Sequence, residues 1–410
     1  NSGNKTITIN GGTTNNGTIQ TAGGTLDING NLSGGTLDGG TGTIRFSGTT
    51  FAPTLFTASL LTIIFDNQSS SQNIPVLNYY NLTIDKYGVS SQTADAAASG
   101  INIAGKFRVI GGIFNADPSN AGWSHTIAGN VEFGVGNSEF KAGQSTITLT
   151  GVSQVITPNN NFYKLSITGS AQVLSGYNLK LDNNLTVKSG GTLTLNSNTG
   201  HTIGGTVILE NTGRLDLSTG TLAITNGLTN NGTIDMDQVS NLSCNAFTNT
   251  ATGVLDCGTN TASQMTVAGN WNDTGAVNPG NSTITLTGGA GYGIASAGST
   301  DFYHLNIAGN YTAINGLDIE GNVKITGTWS PDVYAHKVAG NWDDSTGVFA
   351  ATGGTVTFDG IGAKTITTKV ASGNNNFYNL NIGDDANAPS VAISTGGDLR
   401  VTGILIINTG

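Results

Sequence analysis

Thr192-Leu193-Thr194-Leu195, Arg214-Leu215-Asp216-Leu217, Thr233-Ile234-Asp235-Met236 and Val254-Leu255-Asp256-Cys257 decide the fold. Each stretch follows a glycine, and their starts lie about 20 residues apart, a period that signals stacked repeats. Within each, apolar and polar residues alternate, which is the mark of a half-buried strand. Further short alternating pieces, such as Val207-Ile208-Leu209 and Leu222-Ala223-Ile224, fall between them. The intervening Gly and Asn residues suit corners that need positive φ.

Short strands at this period predict an all-β parallel β-solenoid with about 20 residues per coil, its coils stacked about 4.8 Å apart. Inward side chains then form apolar columns, and outward Thr and Asn form ladders. The competing reading is a string of small β-sandwiches. A longer repeat helps to choose between them. Gly-Asn openings at Gly30-Asn31, Gly129-Asn130, Gly269-Asn270 and Gly340-Asn341 are each followed by a Thr-led strand ending in Gly: 43–48, 146–151, 283–288 and 355–360. An aromatic-Tyr-x-Leu-x-Ile block then recurs at Tyr79, Phe162, Phe302 and Phe377. Order is kept while spacing varies, which a solenoid tolerates and a sandwich core does not. The chain therefore reads as one elongated array, 1–410, with units of approximately 30–128, 129–268, 269–339 and 340–410. Residues 49–78 and 85–100 fit the pattern poorly and are expected to leave the coil.

Composition excludes several classes. Gly alone supplies 61 of 410 residues, and only 10% are charged, yet 37% are apolar, so a core is built rather than a disordered linker. A net charge of −10 without a basic cluster argues against nucleic acid. The longest apolar run, Leu60 to Phe65, is too short to span a bilayer. The start at Asn1 is expected to follow removal of a secretion signal or to reflect an excerpt.

The units resemble the repeat regions of large secreted bacterial surface proteins, with Gly-Asn-(Trp/Val), Thr-(Val/Ile)-Thr-(Phe/Leu) and Phe-Tyr-Asn-Leu-Asn-Ile blocks. The best local matches are Gly340 to Gly360 and Phe377 to Ile382. The resemblance covers about 30–48 and 101–410. It implies an extracellular, adhesin-like, fibrous role and carries over no catalytic residue.

Chemistry is sparse. His125 and His336 each precede a unit-opening Asn by the same interval, so a structural position is expected. His304 shares a slot with Asn81, Lys164 and Asn379 and is read as an exposed strand residue. His201 sits in a Gly-Thr-rich turn. Close carboxylates are confined to Asp343-Asp344, Asp384-Asp385 and Asp235/Asp237. Neighbouring strand residues face opposite ways, so adjacent aspartates make poor acid–base pairs. Asp216, Asp235 and Asp256 recur coil after coil, either as a calcium-holding column or as a solvated outer face. No cofactor is expected.

Cys244 and Cys257 both read as inward, forming a disulfide or two small buried hydrophobes. Tyr79, Phe162, Phe302 and Phe377 either pack under neighbouring loops or corners or form an exposed row for glycan rings or a neighbouring rod. Alternation puts Tyr163, Leu165 and Ile167 on one face and Phe162 with Lys164 on the other. Ile7 and Ile9 near the start, and Ile404, Leu405, Ile406 and Ile407 near the end, are candidate assembly surfaces without visible caps. The expected function is an extracellular structural or adhesive solenoid without catalysis, partnered by copies of itself or by a longer parent chain. A carbohydrate-binding module or a polysaccharide-degrading β-helix enzyme is the alternative.

Overall fold

The computed structural model describes residues 5–38, 40–86, 92–134, 138–158, 160–196, 198, 200–236, 238, 240–258, 263–296, 301–369, 377–383, 389–394 and 398–408. Asp384, Asp385 and Asp237 lie outside these residues. Secondary structure here is β throughout, without a helix. The chain is a parallel β-solenoid of about 17 turns, roughly 21 residues apart. It divides into two compact units, one of 1–198 with 202–204, the other of 199–201 with 205–410.

In the first unit the alternation becomes columns. Ile7 pairs with Leu26, then Ile44, Ile63, Leu82, Phe107, Val131, Ile156, Val173 and Leu195 in successive turns, every pairing parallel. All but the first of these are buried. A one-residue slip would turn each column outward, so the apolar set fixes the register. Residues 49–78 do not leave the coil, contrary to expectation. Thr62–Phe65 pairs residue for residue with Thr43–Phe46, and Gln72–Ile74 pairs with Ala94 to Ala96. Their poor fit reflects aromatic and Ser-rich corners rather than an excursion.

The second unit repeats the scheme. One column runs Leu242, Met265, Ile284, Leu305, Val323, Trp342, Ile366 and Ile393. Another runs Leu228, Phe247, Trp271, Ile294 and Ala313. Each added turn buries one side chain per column, at roughly 1.5–3 kcal/mol for a large aliphatic or aromatic residue. No turn is stable alone, so stability is shared between neighbours.

Candidate functional site: repeat residues and an asparagine-lined cleft

The four unit-opening asparagines perform one task. Asn31 Oδ1 accepts from the N–H of Thr49 and Thr50 at 2.9 and 3.0 Å. Asn130 Oδ1 accepts from Val155 N–H at 2.9 Å, Asn270 Oδ1 from Gly293 N–H at 2.9 Å, and Asn341 Oδ1 from Thr365 N–H at 2.8 Å. Each amide ties its corner to the following turn. The glycine before it faces the preceding turn: a Cβ at Gly129 would fall on the backbone carbonyl of Gly105. The dipeptide is thus a corner clamp.

The aromatic blocks close against these openings inside the core. Tyr79, Phe162, Phe302 and Phe377 are all buried, so these four form no exposed row. They pack at corners: Phe162, Phe302 and Phe377 each precede a bend and form single bridges to Leu181, Ile319 and Val401 of the next turn. Phe302 packs on Trp271 with ring centres 5.1 Å apart, and Phe377 on Trp342 at 5.2 Å, each Trp being the third residue of a Gly-Asn-Trp opening. Alternation misplaces Phe162 because Tyr163 is a corner residue, and Phe162 belongs to the preceding side of the coil.

The histidines are backbone ligands. His125 Nδ1 accepts from Ile101 N–H at 3.3 Å, and Nε2 meets Ala116 O at 2.7 Å. His336 makes the same pair with Leu317 N–H at 3.2 Å and Pro331 O at 3.1 Å. Both rings are therefore neutral, with the proton on Nε2. Burial lowers their pKa values, outweighing the carbonyl contacts. His304 is half-buried rather than exposed. Its Nδ1 accepts from Asn322 N–H at 2.9 Å, as Asn81 Oδ1 accepts from Lys106 N–H and Asn379 Oδ1 from Ile404 N–H. His201 lies buried in the strand His201–Ile203, not in a turn.

Three further side chains share a role that sequence reasoning missed. Gln72 Nε2 donates to Phe46 O and Gly48 O, while Oε1 accepts from Asn67 N–H. Gln154 does the same with Ile127 O, Gly129 O and Gly151 N–H. In the second unit a tyrosine hydroxyl replaces the amide: Tyr311 Oη lies 3.1 Å from Val267 O and 2.9 Å from Gly269 O, and accepts from Gly288 N–H at 2.9 Å. Ser71-Gln72-Asn73-Ile74 and Ser153-Gln154-Val155-Ile156 share a pattern that could have revealed the two glutamines, whereas Tyr311 shares none with them. Lys86 was also missed. Fully buried, it donates to Asn67 O at 2.8 Å and Ser70 O at 3.0 Å. Burial lowers its pKa to about 8, against the pull of Asp66 and Asp95.

Asp216, Asp235 and Asp256 do stack in register. Their carboxylates have structural partners: Asp216 and Asp256 accept from Ser218 and Gly258 N–H, and Asp235 pairs with Arg214. Asp235 is buried, so the column is not a uniformly solvated face. Among the described residues no group of three His, Cys, Asp or Glu side chains could hold a metal ion. Cys244 and Cys257 are both buried free thiols, so the disulfide is not formed. Cys244 ends a strand paired with Gln264 to Val267, whereas Cys257 follows one paired with Ala276 to Asn278. They sit on different sides of the coil.

The first unit carries a cleft of about 590 Å³ whose lining includes Asn115, Asp117, Asn120, Glu139, Lys141, Asn160, Asn161 and Asp182. A second depression of about 510 Å³ shares Asn160 and Asn161 and adds Tyr177, Asn178 and Lys180. The cleft lies where a ladder stops. Ser138–Lys141 pairs with Gly112 to Asn115 on one side; on the other, Asn160 Oδ1 accepts from Phe140 N–H at 2.9 Å in place of a strand. Phe140 itself points inward, stacked on Phe114 and Phe133 at 6.0 and 5.0 Å. Asn161 Nδ2 donates to Asp182 at 2.7 Å. Asp117 forms part of the wall. Burial alone would raise its pKa, but the N–H groups of Gly122, Ala121 and Trp123 and the Ser119 hydroxyl hold it below the usual carboxylate range.

No family model matches this chain, and neither a curated protein nor a solved structure shows significant similarity to it. Among the described residues no helix is long and apolar enough to cross a membrane. Ile7 is 64% exposed and Ile407 67%, and Ile404, Leu405 and Ile406 are exposed as well, while Ile9 is partly covered. Leu405 and Ile407 continue the columns of Leu380 and Ile382.

Proposed function

We propose that this chain is a non-catalytic structural and adhesive segment of a secreted or cell-surface fibre. One observation carries the reading: the polar residues that recur between units are used on the backbone. Asn31, Asn130, Asn270 and Asn341 clamp corners, and His125 and His336 bridge an N–H and a carbonyl. A catalytic site needs a base or nucleophile free to meet substrate, and these rings have both nitrogens engaged. Low charge and Thr/Asn ladders suit an extracellular surface. Assembly belongs to the proposal, since a further coil, from a second copy or from the same polypeptide, would bury Ile7, Ile9, Leu405 and Ile407.

The test is direct. The purified chain is incubated with a panel of plant, algal and bacterial polysaccharides and assayed for new reducing ends and unsaturated products. Neither should rise above buffer. Sustained turnover of any polymer, lost on substitution of a carboxylate in a cleft, overturns the reading.

A further inference from the structure

We propose that the cleft over Ser138–Lys141, with the depression beside it, binds a neutral oligosaccharide chain. The first argument is chemical. Sugar hydroxyls are donors and acceptors at once, and carboxamides answer both. Asn115, Asn120, Asn160, Asn161 and Asn178 bring five amides to this one surface. Asn160 and Asn161 are oriented by Phe140 N–H and Asp182, so two of these groups are preorganised, which reduces the entropy lost on binding. The half-buried ring of Tyr177 supplies an apolar face of the kind a pyranose stacks on. Each depression has the volume of a ligand pocket, and they share Asn160 and Asn161, so two or more rings fit in line.

Other ligands match less well. A phosphate or sulfated polymer needs uncompensated cations, but Lys141 and Lys180 are accompanied by Glu139 and Asp182. An added peptide strand needs the open edge of Ser138–Lys141, and the Asn160 amide already occupies Phe140 N–H. A hard cation would need carboxylates free to ligate it. Asp117 instead accepts from Ser119 Oγ and the N–H groups of Ala121, Gly122 and Trp123.

The experiment uses the whole chain on an array of neutral oligosaccharides: gluco-, xylo-, manno-, galacto- and N-acetylglucosamine hexamers, with titration calorimetry on those retained. At least one should bind, longer chains more tightly than dimers. Asn161→Ala and Tyr177→Ala, both on accessible side chains, should each weaken binding roughly three- to tenfold, and together about thirtyfold or more, with circular dichroism unchanged. Absence of binding to every hexamer overturns the proposal. So does binding that the double variant leaves intact, or retention of charged glycans alone that salt abolishes. Turnover of a bound hexamer would sink the non-catalytic reading above and leave this one standing.

Discussion

Tyr311→Phe removes a single oxygen and isolates one plug. The ring stays in its buried place, so packing is nearly unchanged. The hydroxyl accepts from Gly288 N–H and donates toward Val267 O and Gly269 O. Val267 O keeps the N–H of Thr287 at 2.9 Å, so it is not stranded. Gly288 N–H loses the acceptor that holds it. A buried donor left unsatisfied costs about 1–3 kcal/mol, and the lost bonds to carbonyl add about 1 kcal/mol, so roughly 2–4 kcal/mol is expected. Amide hydrogen exchange is the assay of choice, because a repeat array unfolds locally and a global midpoint averages over turns. At about 1.4 kcal/mol per tenfold, exchange at Gly288 should accelerate roughly thirtyfold or more. Tyr311→Gln is the companion variant. Gln72 and Gln154 accept from N–H groups on their own turn, whereas Gly288 lies a turn before Tyr311, so the shorter glutamine should leave Gly288 as unprotected as phenylalanine does. If Tyr311→Phe changes exchange at Gly288 less than threefold, the hydroxyl does not hold this N–H.

The clamp makes a parallel expectation: Asn130→Ala should lower stability by about 1–2 kcal/mol, as should Asn341→Ala, whereas an exposed strand residue such as Thr312→Ala should stay within about 0.5 kcal/mol. Urea midpoints of the three variants decide it. His125 and His336 have folded pKa values below 6.5, so the unfolded chain binds more protons. Their contribution is complete above pH 6.5 and is lost as pH falls through the folded pKa; an NMR titration in which either imidazole of the folded chain titrates at or above pH 6.5 contradicts this. Asp344 acts in the opposite sense: burial, opposed by its contact with Trp342, raises its pKa from 3.8 to about 6, so its contribution is lost as pH rises between those values. Asp344→Asn should accordingly stabilise the chain at pH 7 by up to roughly 2–3 kcal/mol in thermal or urea unfolding. Burial pushes the thiols of Cys244 and Cys257 up to about 12 and 11, so a thiol reagent at pH 8 should label neither until denaturant is added.

What could be read in advance follows from where the information sits. The solenoid was legible because an inward column needs one apolar residue at every second position and every turn, a pattern written locally in Leu193, Leu215, Ile234 and Leu255. His125 and His336 were legible as structural because their places in two units coincide. Phe162 was misread because alternation runs only within a strand, and the corner at Tyr163 resets it. The cysteine pairing was left open because inwardness does not say which side of a three-sided coil a residue occupies. Gln72 and Gln154 carry a shared Ser-Gln-x-Ile pattern, but Tyr311 stayed hidden because there the same three backbone groups are met by a side chain of different length from a different position. The cleft could not be read at all: Asn115, Glu139 and Asn160 come from three successive turns, and nothing local marks them as neighbours.

In a solenoid the repeat explains the fold, and departures from it are the place to look for function. Asn81, His304 and Asn379 occupy one slot and each accept an N–H from the next turn. The fourth member is Lys164, which has no acceptor to offer; its ammonium lies 5.5 Å from the Tyr163 ring centre instead. That exception follows closely on Asn160 and Asn161, which border the cleft and whose counterparts in the fourth unit are Asn375 and Asn376. Nearby the ladder through Gly112 to Asn115 ends at Ser138–Lys141, and a side-chain amide takes the place of the missing strand. A turn that served stacking alone would have continued the ladder, because each continued pair buries apolar surface and satisfies backbone groups. Here an edge is exchanged for a concave polar surface whose amides are held in fixed orientation. A broken slot, an ended ladder and a side-chain substitute within three turns of the first unit are the departures on which the proposed oligosaccharide site rests.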